Sequence, residues 1–142
     1  MDRILRFIFP KSPQETMPSL LLLMLRIAFG FLFLSHGVEK MHAFDELIST
    51  FPDPLGVGRS LSLSLVIFAE LFCSIGFIAG AFFRLCLIPM IFTMIVAFFV
   101  IHGNSEFAAK ESALMYLLLF IMLFVSGPGK FSADTMIRRA MV

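Results

Sequence analysis

The sequence predicts an all-α membrane protein: an antiparallel four-helix transmembrane bundle with an N-terminal interfacial amphipathic segment. Composition is the first observation. Of 142 residues, 59% are hydrophobic and only 15% charged, where a soluble domain averages roughly 25% charged residues. The second is a mean hydropathy of +0.97. The third is that the apolar residues gather in long runs, each ending in a polar or turn-forming cluster, the pattern of membrane spans. The length suits one domain over residues 1–142. A net charge of +1 leaves no basic field for a nucleic acid, so the expected surroundings are membrane lipid.

The segment from Met1 to Pro18 interleaves Ile4, Leu5, Phe7, Ile8 and Phe9 with Arg3, Arg6 and Lys11. It reads as an anchor lying on the membrane surface. A signal peptide fits less well, because the following apolar run is long and lacks an Ala-x-Ala cleavage site. Pro18 suits the first turn of a helix, and the first span is expected at about 19–38. From Leu61 to Ile101 the chain is apolar for 41 residues, broken mainly by Glu70 and Arg84. A single helix of that length would be roughly 60 Å long, twice the hydrocarbon thickness. It must be a hairpin turning near Gly80 to Arg84, with spans at about 61–80 and 84–102. The fourth span, about 108–126, is stopped by Gly127-Pro128-Gly129, which cannot continue a helix.

Four spans put both termini on one side. That side carries seven Lys and Arg residues: Arg3, Arg6, Lys11, Arg84, Lys130, Arg138 and Arg139. The other carries three: Lys40, Arg59 and Lys110. The positive-inside rule then predicts cytoplasmic termini, in a cytoplasmic (inner) membrane. With 19 Phe, one Tyr and no Trp, any aromatic belt must be built from Phe. The connection Met41 to Ser60 holds Phe44, Leu47, Ile48, Phe51, Pro52 and Pro54. A loop this long and apolar is expected to be ordered, as a partly immersed cover over the outer face; a solvated connector is the plainer reading.

Cys73 and Cys86 lie inside apolar segments with no Cys-x-x-Cys pair and no metal-ligand spacing. Placed on their spans they fall about 12 Å apart in depth, beyond the roughly 7 Å a disulfide tolerates. Both read as core filling, and dithiol chemistry is not expected. Arg26, Gly30, Phe33, Gly37 and Lys40 share one helical stripe. Ala69, Cys73, Gly76 and Gly80 form a stripe of small residues that lets helices approach closely. Pro89 is expected to kink the third span. Arg26 and Glu70 are intramembrane charges, which cost roughly 2.5–3.5 kcal/mol on insertion scales. They match by depth, but side chains lean toward the helix N-terminus. Arg26 therefore leans toward the termini, and Glu70 toward His36 and Lys40.

Two peptides at span exits, Ser35-His36-Gly37-Val38-Glu39-Lys40 and Ile101-His102-Gly103-Asn104-Ser105-Glu106, meet at the same face in this topology. One reading is a pair of interfacial histidines bonded to loop carbonyls. The other is a polar site in which His36, Glu70 and His102 are catalytic, since histidine passes protons near neutral pH. Arg26, Lys40, Glu111 and Tyr116 would bind the ligand there, with Lys110 beside them and Glu39 and Glu106 solvated at the edge. Two histidines from two helices could also ligate haem, but no other feature of the chain supports it, and no metal site is expected.

These pieces together resemble the DoxX family of four-helix bacterial membrane proteins, from about Leu21 to Ile137. The resemblance rests on Leu25-Arg26, Gly30, Phe33, His36-Gly37 and Lys40, then Glu70 with Gly76, Gly80 and Arg84 in a Gly-x-x-x-Arg turn. It ends on Gly127-Pro128-Gly129-Lys130-Phe131-Ser132-Ala133-Asp134, similar to a Gly-Pro-Gly-x-x-Ser-x-Asp ending. The family is named by analogy to a subunit of a thiosulfate:quinone oxidoreductase, and some members are tied to thiol and oxidative-stress systems. The resemblance implies no settled reaction. It marks Arg26, His36, Lys40, Glu70, Arg84 and 127–134 as family positions.

The leading functional expectation is a quinone-linked redox component, possible as a subunit of a quinone-dependent oxidoreductase. An apolar cleft admits the quinone, His36 or His102 bonds its oxygens, and Glu70 exchanges protons. The alternative is a non-enzymatic anchor or scaffold for a redox partner protein. A small solute or proton carrier fits less well, because four spans without an inverted repeat make a poor solo transporter. The glycine stripe and short fourth span make a homodimer plausible.

Overall fold

The computed structural model describes residues 2–9 and 15–141. Pro10 to Gln14, including the Lys11 assigned to the surface anchor, lie outside the described residues. Helix α1 (Asp2–Ile8) precedes α2 (Thr16–His42), the first span, and a single turn α3 (Phe44–Leu47) follows it. The second span, α4, covers Arg59–Ala79, and the third, α5, covers Phe83–Ile101. The fourth, α6, covers Phe107–Ser126, and a short α7 (Ala133–Met141) closes the chain. The four long helices, α2, α4, α5 and α6, are apolar enough to cross a membrane, and they form the antiparallel bundle. Large apolar side chains such as Met24, Phe72, Phe99, Met122 and Val125 are exposed on its outside, as lipid rather than water would require.

The expected hairpin turns at Gly80. Its φ of +67° is the left-handed region that favours glycine. The Gly80 N–H donates to the Phe77 carbonyl at 3.2 Å, and the Ala81 N–H to Gly76 at 2.9 Å. That is the paired hydrogen-bond pattern of a Schellman helix stop. Both helices of the hairpin carry a π-helical stretch, Phe68–Phe72 at the middle of α4 and Val96–Ile101 at the far end of α5. The extra residue in such a turn shifts every later side chain around the helix.

Packing follows the two stripes. Arg26, Gly30, Phe33 and Gly37 are all buried on the face of α2 that meets α4. A Cβ at Gly37 would lie 2.8 Å from the backbone of Glu70 and Leu71, so only glycine permits this approach. At the centre, Phe77 stacks on Phe83 with ring centroids 5.4 Å apart, and Phe120 sits edge-on to Phe77 and Phe33 at 5.6 and 5.0 Å. Leu87, Met90, Leu117 and Leu123 fill around them.

The 127–134 ending is built into the bundle. Asp134 is buried and accepts the N–H groups of Phe82 and Phe83 at 2.7 and 2.8 Å, capping α5. Its own N–H returns to the Gly80 carbonyl at 2.9 Å. Burial raises the Asp134 carboxyl above the usual carboxylate range, against the two N–H donors and Arg26, which lower it. Ser132 caps α7 through the Thr135 N–H, and Lys130 reaches Thr16 and Ser19 of α2. Arg84 donates to the Phe124 and Phe7 carbonyls and lies over both rings. The α1 segment therefore rests on the bundle through Phe7 as well as offering an apolar surface to lipid.

Cys73 is buried in the core and Cys86 packs partly buried against it, neither in a disulfide, as core filling requires. Cys73 lies six residues before the end of α4 and Cys86 three residues after the start of α5, a depth difference of roughly 4.5 Å, smaller than the sequence implied.

Candidate functional site

The end of the bundle opposite the termini holds a cleft of about 480 Å³ between α4 and α5. Its walls are mainly apolar: Phe51, Pro52, Pro54 and Leu55 from the 43–58 connection, Leu65, Val66 and Phe68 from α4, and Pro89, Phe92 and Val96 from α5. Lys40, Ser62, Glu70, Thr93 and His102 add the polar groups. A mainly apolar hollow with a few convergent polar groups is the usual form of a small-molecule site.

The connection is held over the cleft by its own hydrogen bonds. The Asp53 carboxylate accepts from Val57 N–H at 3.1 Å, Gly58 N–H at 2.8 Å and the Ser62 hydroxyl at 2.7 Å. Ser62 and the Gly58 backbone hold this carboxyl below the usual carboxylate range. The Arg59 guanidinium donates to the Ser49 carbonyl.

Glu70 is the central polar group. It sits within the Phe68–Phe72 π turn and is buried. Lys40, from the last turn of α2, donates to Glu70 Oε2 at 2.6 Å. A buried carboxylate requires such a partner. On α2, Lys40 lies three residues beyond Gly37, and its long stem leans back toward Glu70. His102 caps the end of α5 and lines the cleft beyond this pair.

The other sequence-predicted site residues lie elsewhere. His36 is half exposed, 3.9 Å from Glu39 and edge-on to Tyr116 with centroids 6.3 Å apart. It is turned toward α6 and does not line the cleft, so the two histidines share an end of the bundle but not a cavity. Tyr116 packs among Phe29, Phe33 and Phe120. Glu111 is exposed. Lys110 donates to the Gly103 carbonyl at 3.3 Å.

Arg26 lies at the end of the bundle that carries the termini. It is buried and donates four hydrogen bonds to carbonyls: Phe77 at 3.2 Å, Ile78 at 2.7 Å, Pro128 at 2.7 Å and Phe131 at 3.0 Å. It fastens the last turn of α4 to the 127–132 loop. Phe51, Ser62, Phe92 and Thr93 were not legible as site residues. Only the folded connection and the third span brought together show that they share a cavity.

The family model described as DoxX matches residues 21–103. A protein of Haemophilus influenzae described as uncharacterized is 26% identical over 126 residues, covering 83% of each chain. No solved structure matches the chain.

Proposed function

The chain belongs to the DoxX family, and from that premise we propose that its cleft binds a quinone-type molecule for electron and proton exchange at the non-cytoplasmic face. The observation that carries this reading is the cleft itself: about 480 Å³, apolar-walled, with a 2.6 Å Lys40–Glu70 pair and His102 at its polar part. A substituted ring with an isoprenoid tail matches the apolar walls. Its two carbonyl oxygens need donors, which the Lys40 ammonium and the His102 imidazole can supply. Reduction adds protons to those oxygens, and the Glu70–Lys40 pair is a buried proton-exchanging group beside them. His36 has no part in this version of the site. The excess of Lys and Arg at the end with the termini supports placing the cleft outside.

The test is binding of decylubiquinone to the purified protein in detergent, measured by equilibrium retention of the quinone on the protein. Wild type should retain it stoichiometrically. Glu70→Gln and His102→Ala should each weaken retention about 10-fold, the loss of one buried polar contact worth about 1.4 kcal/mol. Ala97 also lines the cleft, so Ala97→Trp, which fills it, should abolish retention, and His36→Ala should leave it unchanged. Retention that survives Ala97→Trp would refute the assignment.

A further inference from the structure

Three large side chains that line the cleft are also open to the outside of the bundle. Leu65 is 47% exposed, Phe68 50% and Phe92 51%. Leu65 and Phe68 stand one turn apart on α4, and Phe92 belongs to the wall supplied by α5. Phe68 lies nine residues after the start of α4, and Phe92 nine after the start of α5. Each is roughly 14 Å from a helix end, near the middle of a hydrocarbon layer about 30 Å thick. An opening at that depth faces acyl chains, not water. The other sides of the cleft are closed. Among the described residues, none from α6 lines it and α2 contributes only Lys40, so it lies on the outer flank of the α4–α5 hairpin. Glu70 and Met94, both buried, form its inner side. Its water-facing end is covered by Phe51, Pro52, Pro54 and Leu55, in a connection latched by the three hydrogen bonds of Asp53.

We infer, on the cleft reading above, that the cleft is loaded sideways from the bilayer, between Leu65 and Phe68 on one helix and Phe92 on the other. Its ligand is a lipid-dissolved amphiphile whose ring is held inside and whose chain passes through this gap into the membrane. A chain that moves from lipid to apolar walls stays in apolar surroundings throughout, so it gains and loses little. Recognition then falls to the ring, and chain length beyond the cleft is unconstrained. A volume of about 480 Å³ encloses a drug-sized molecule but not a long polyisoprenoid chain. A ligand carrying such a chain fits only if the flank is open. Phe68 and Phe92 are the rings whose size sets the width of that opening.

The full-length protein in phosphatidylcholine nanodiscs is loaded with three quinones that share one ring: a tailless form, decylubiquinone and a long-chain ubiquinone. Retention is counted above that of Ala97→Trp. Decylubiquinone and the long-chain ubiquinone, at equal mole fraction in the bilayer, should load within about 3-fold of each other. The tailless ring at the same total concentration should load at least about 10-fold less, because each methylene adds about 0.8 kcal/mol to the transfer into lipid. Phe68→Trp combined with Phe92→Trp narrows the gap. It should weaken the long-chain ubiquinone about 10-fold and decylubiquinone, which fits inside, less than about 2-fold. Decylubiquinone retained while the long-chain ubiquinone is excluded overturns the sideways route and leaves the cleft reading standing. A tailless ring that loads as well as decylubiquinone, or equal weakening of both tailed quinones in the double variant, overturns it too. No quinone retained above the Ala97→Trp level removes the cleft reading and this one with it.

Discussion

Replacing Arg26 with methionine is the sharpest test of how the bundle is held together. The substitution keeps an unbranched side chain and removes five N–H donors. Four carbonyls lose a partner. The Phe77 carbonyl keeps the Gly80 N–H, so Ile78, Pro128 and Phe131 are the acceptors at risk. Each buried acceptor left unpaired costs about 1–3 kcal/mol, and some relax toward water at the membrane edge. A net loss of about 3–5 kcal/mol follows, in line with breaking a buried charged network. At roughly 2–4 °C per kcal/mol for a chain of this size, the melting temperature should fall by roughly 10 °C or more. Thermal unfolding in mild detergent can be followed with a thiol-reactive dye, because Cys73 is buried until the bundle opens. Arg26→Lys should fall between the two, since an ammonium cannot reproduce the planar fork. A methionine variant that melts within 2 °C of wild type but loses quinone would refute the reasoning and make Arg26 a ligand group.

Asp134→Ala should cost about 1–2 kcal/mol by removing the acceptor for the Phe82 and Phe83 N–H groups, read in the same melt. Lys40→Met leaves the Glu70 charge buried and should cost about 2–4 kcal/mol, whereas Lys40→Met with Glu70→Gln should recover most of it; equal losses in single and double variants would deny the pair its coupling. Gly37→Val should be more damaging than Gly56→Val, because position 37 abuts the α4 backbone while nothing lies within 4 Å of position 56; the Gly37 melt is the comparison to make. Asp53 has its pKa lowered in the folded state, so its contribution is present above the unfolded value of about 3.9 and is lost as pH falls through the folded one. The stability gap between wild type and Asp53→Asn should therefore close on acidification.

The spans were legible because apolar run length measures itself against a bilayer, and the Leu61–Ile101 run is too long for one crossing. The α2 stripe from Arg26 to Lys40 was legible because that helix is regular, so a 3.6-residue period names one face. Legibility ended where regularity did. The Phe68–Phe72 π turn rotates Glu70 relative to Gly76, and no residue type announces it. His36 and Gly37 are adjacent in sequence but about 100° apart on the helix. Gly37 meets α4, and His36 is left facing Tyr116. The cysteines were legible as core filling because both stand in apolar runs, and Cys73 is buried in the core with Cys86 packed against it.

The two ends of the bundle use charge in opposite ways, and hydrogen-bond capacity shows it. Arg26 spends its donors on four carbonyls, Arg84 on two, and Asp134 accepts from two backbone amides. These groups are committed to backbone from separate elements and have little left for a ligand. At the other end the Lys40 ammonium makes one hydrogen bond of a possible three among the described residues, and Glu70 receives it on one oxygen of two. His102 offers an imidazole to the cleft without a hydrogen-bond partner among the described residues. Both π turns contribute residues to the cleft, Phe68 and Glu70 from one and Val96 and Ile101 from the other, and such insertions are frequent at functional sites. The charged residues nearest the termini therefore set stability, and on the proposed reading those facing the cleft serve its ligand. Variants at Arg26 and Asp134 should move the melt with little change in quinone affinity at low temperature. Glu70→Gln and His102→Ala should do the reverse. A single variant that moved both equally would show that the ends are coupled through α4, along the helix that carries Glu70, Cys73 and the carbonyls held by Arg26.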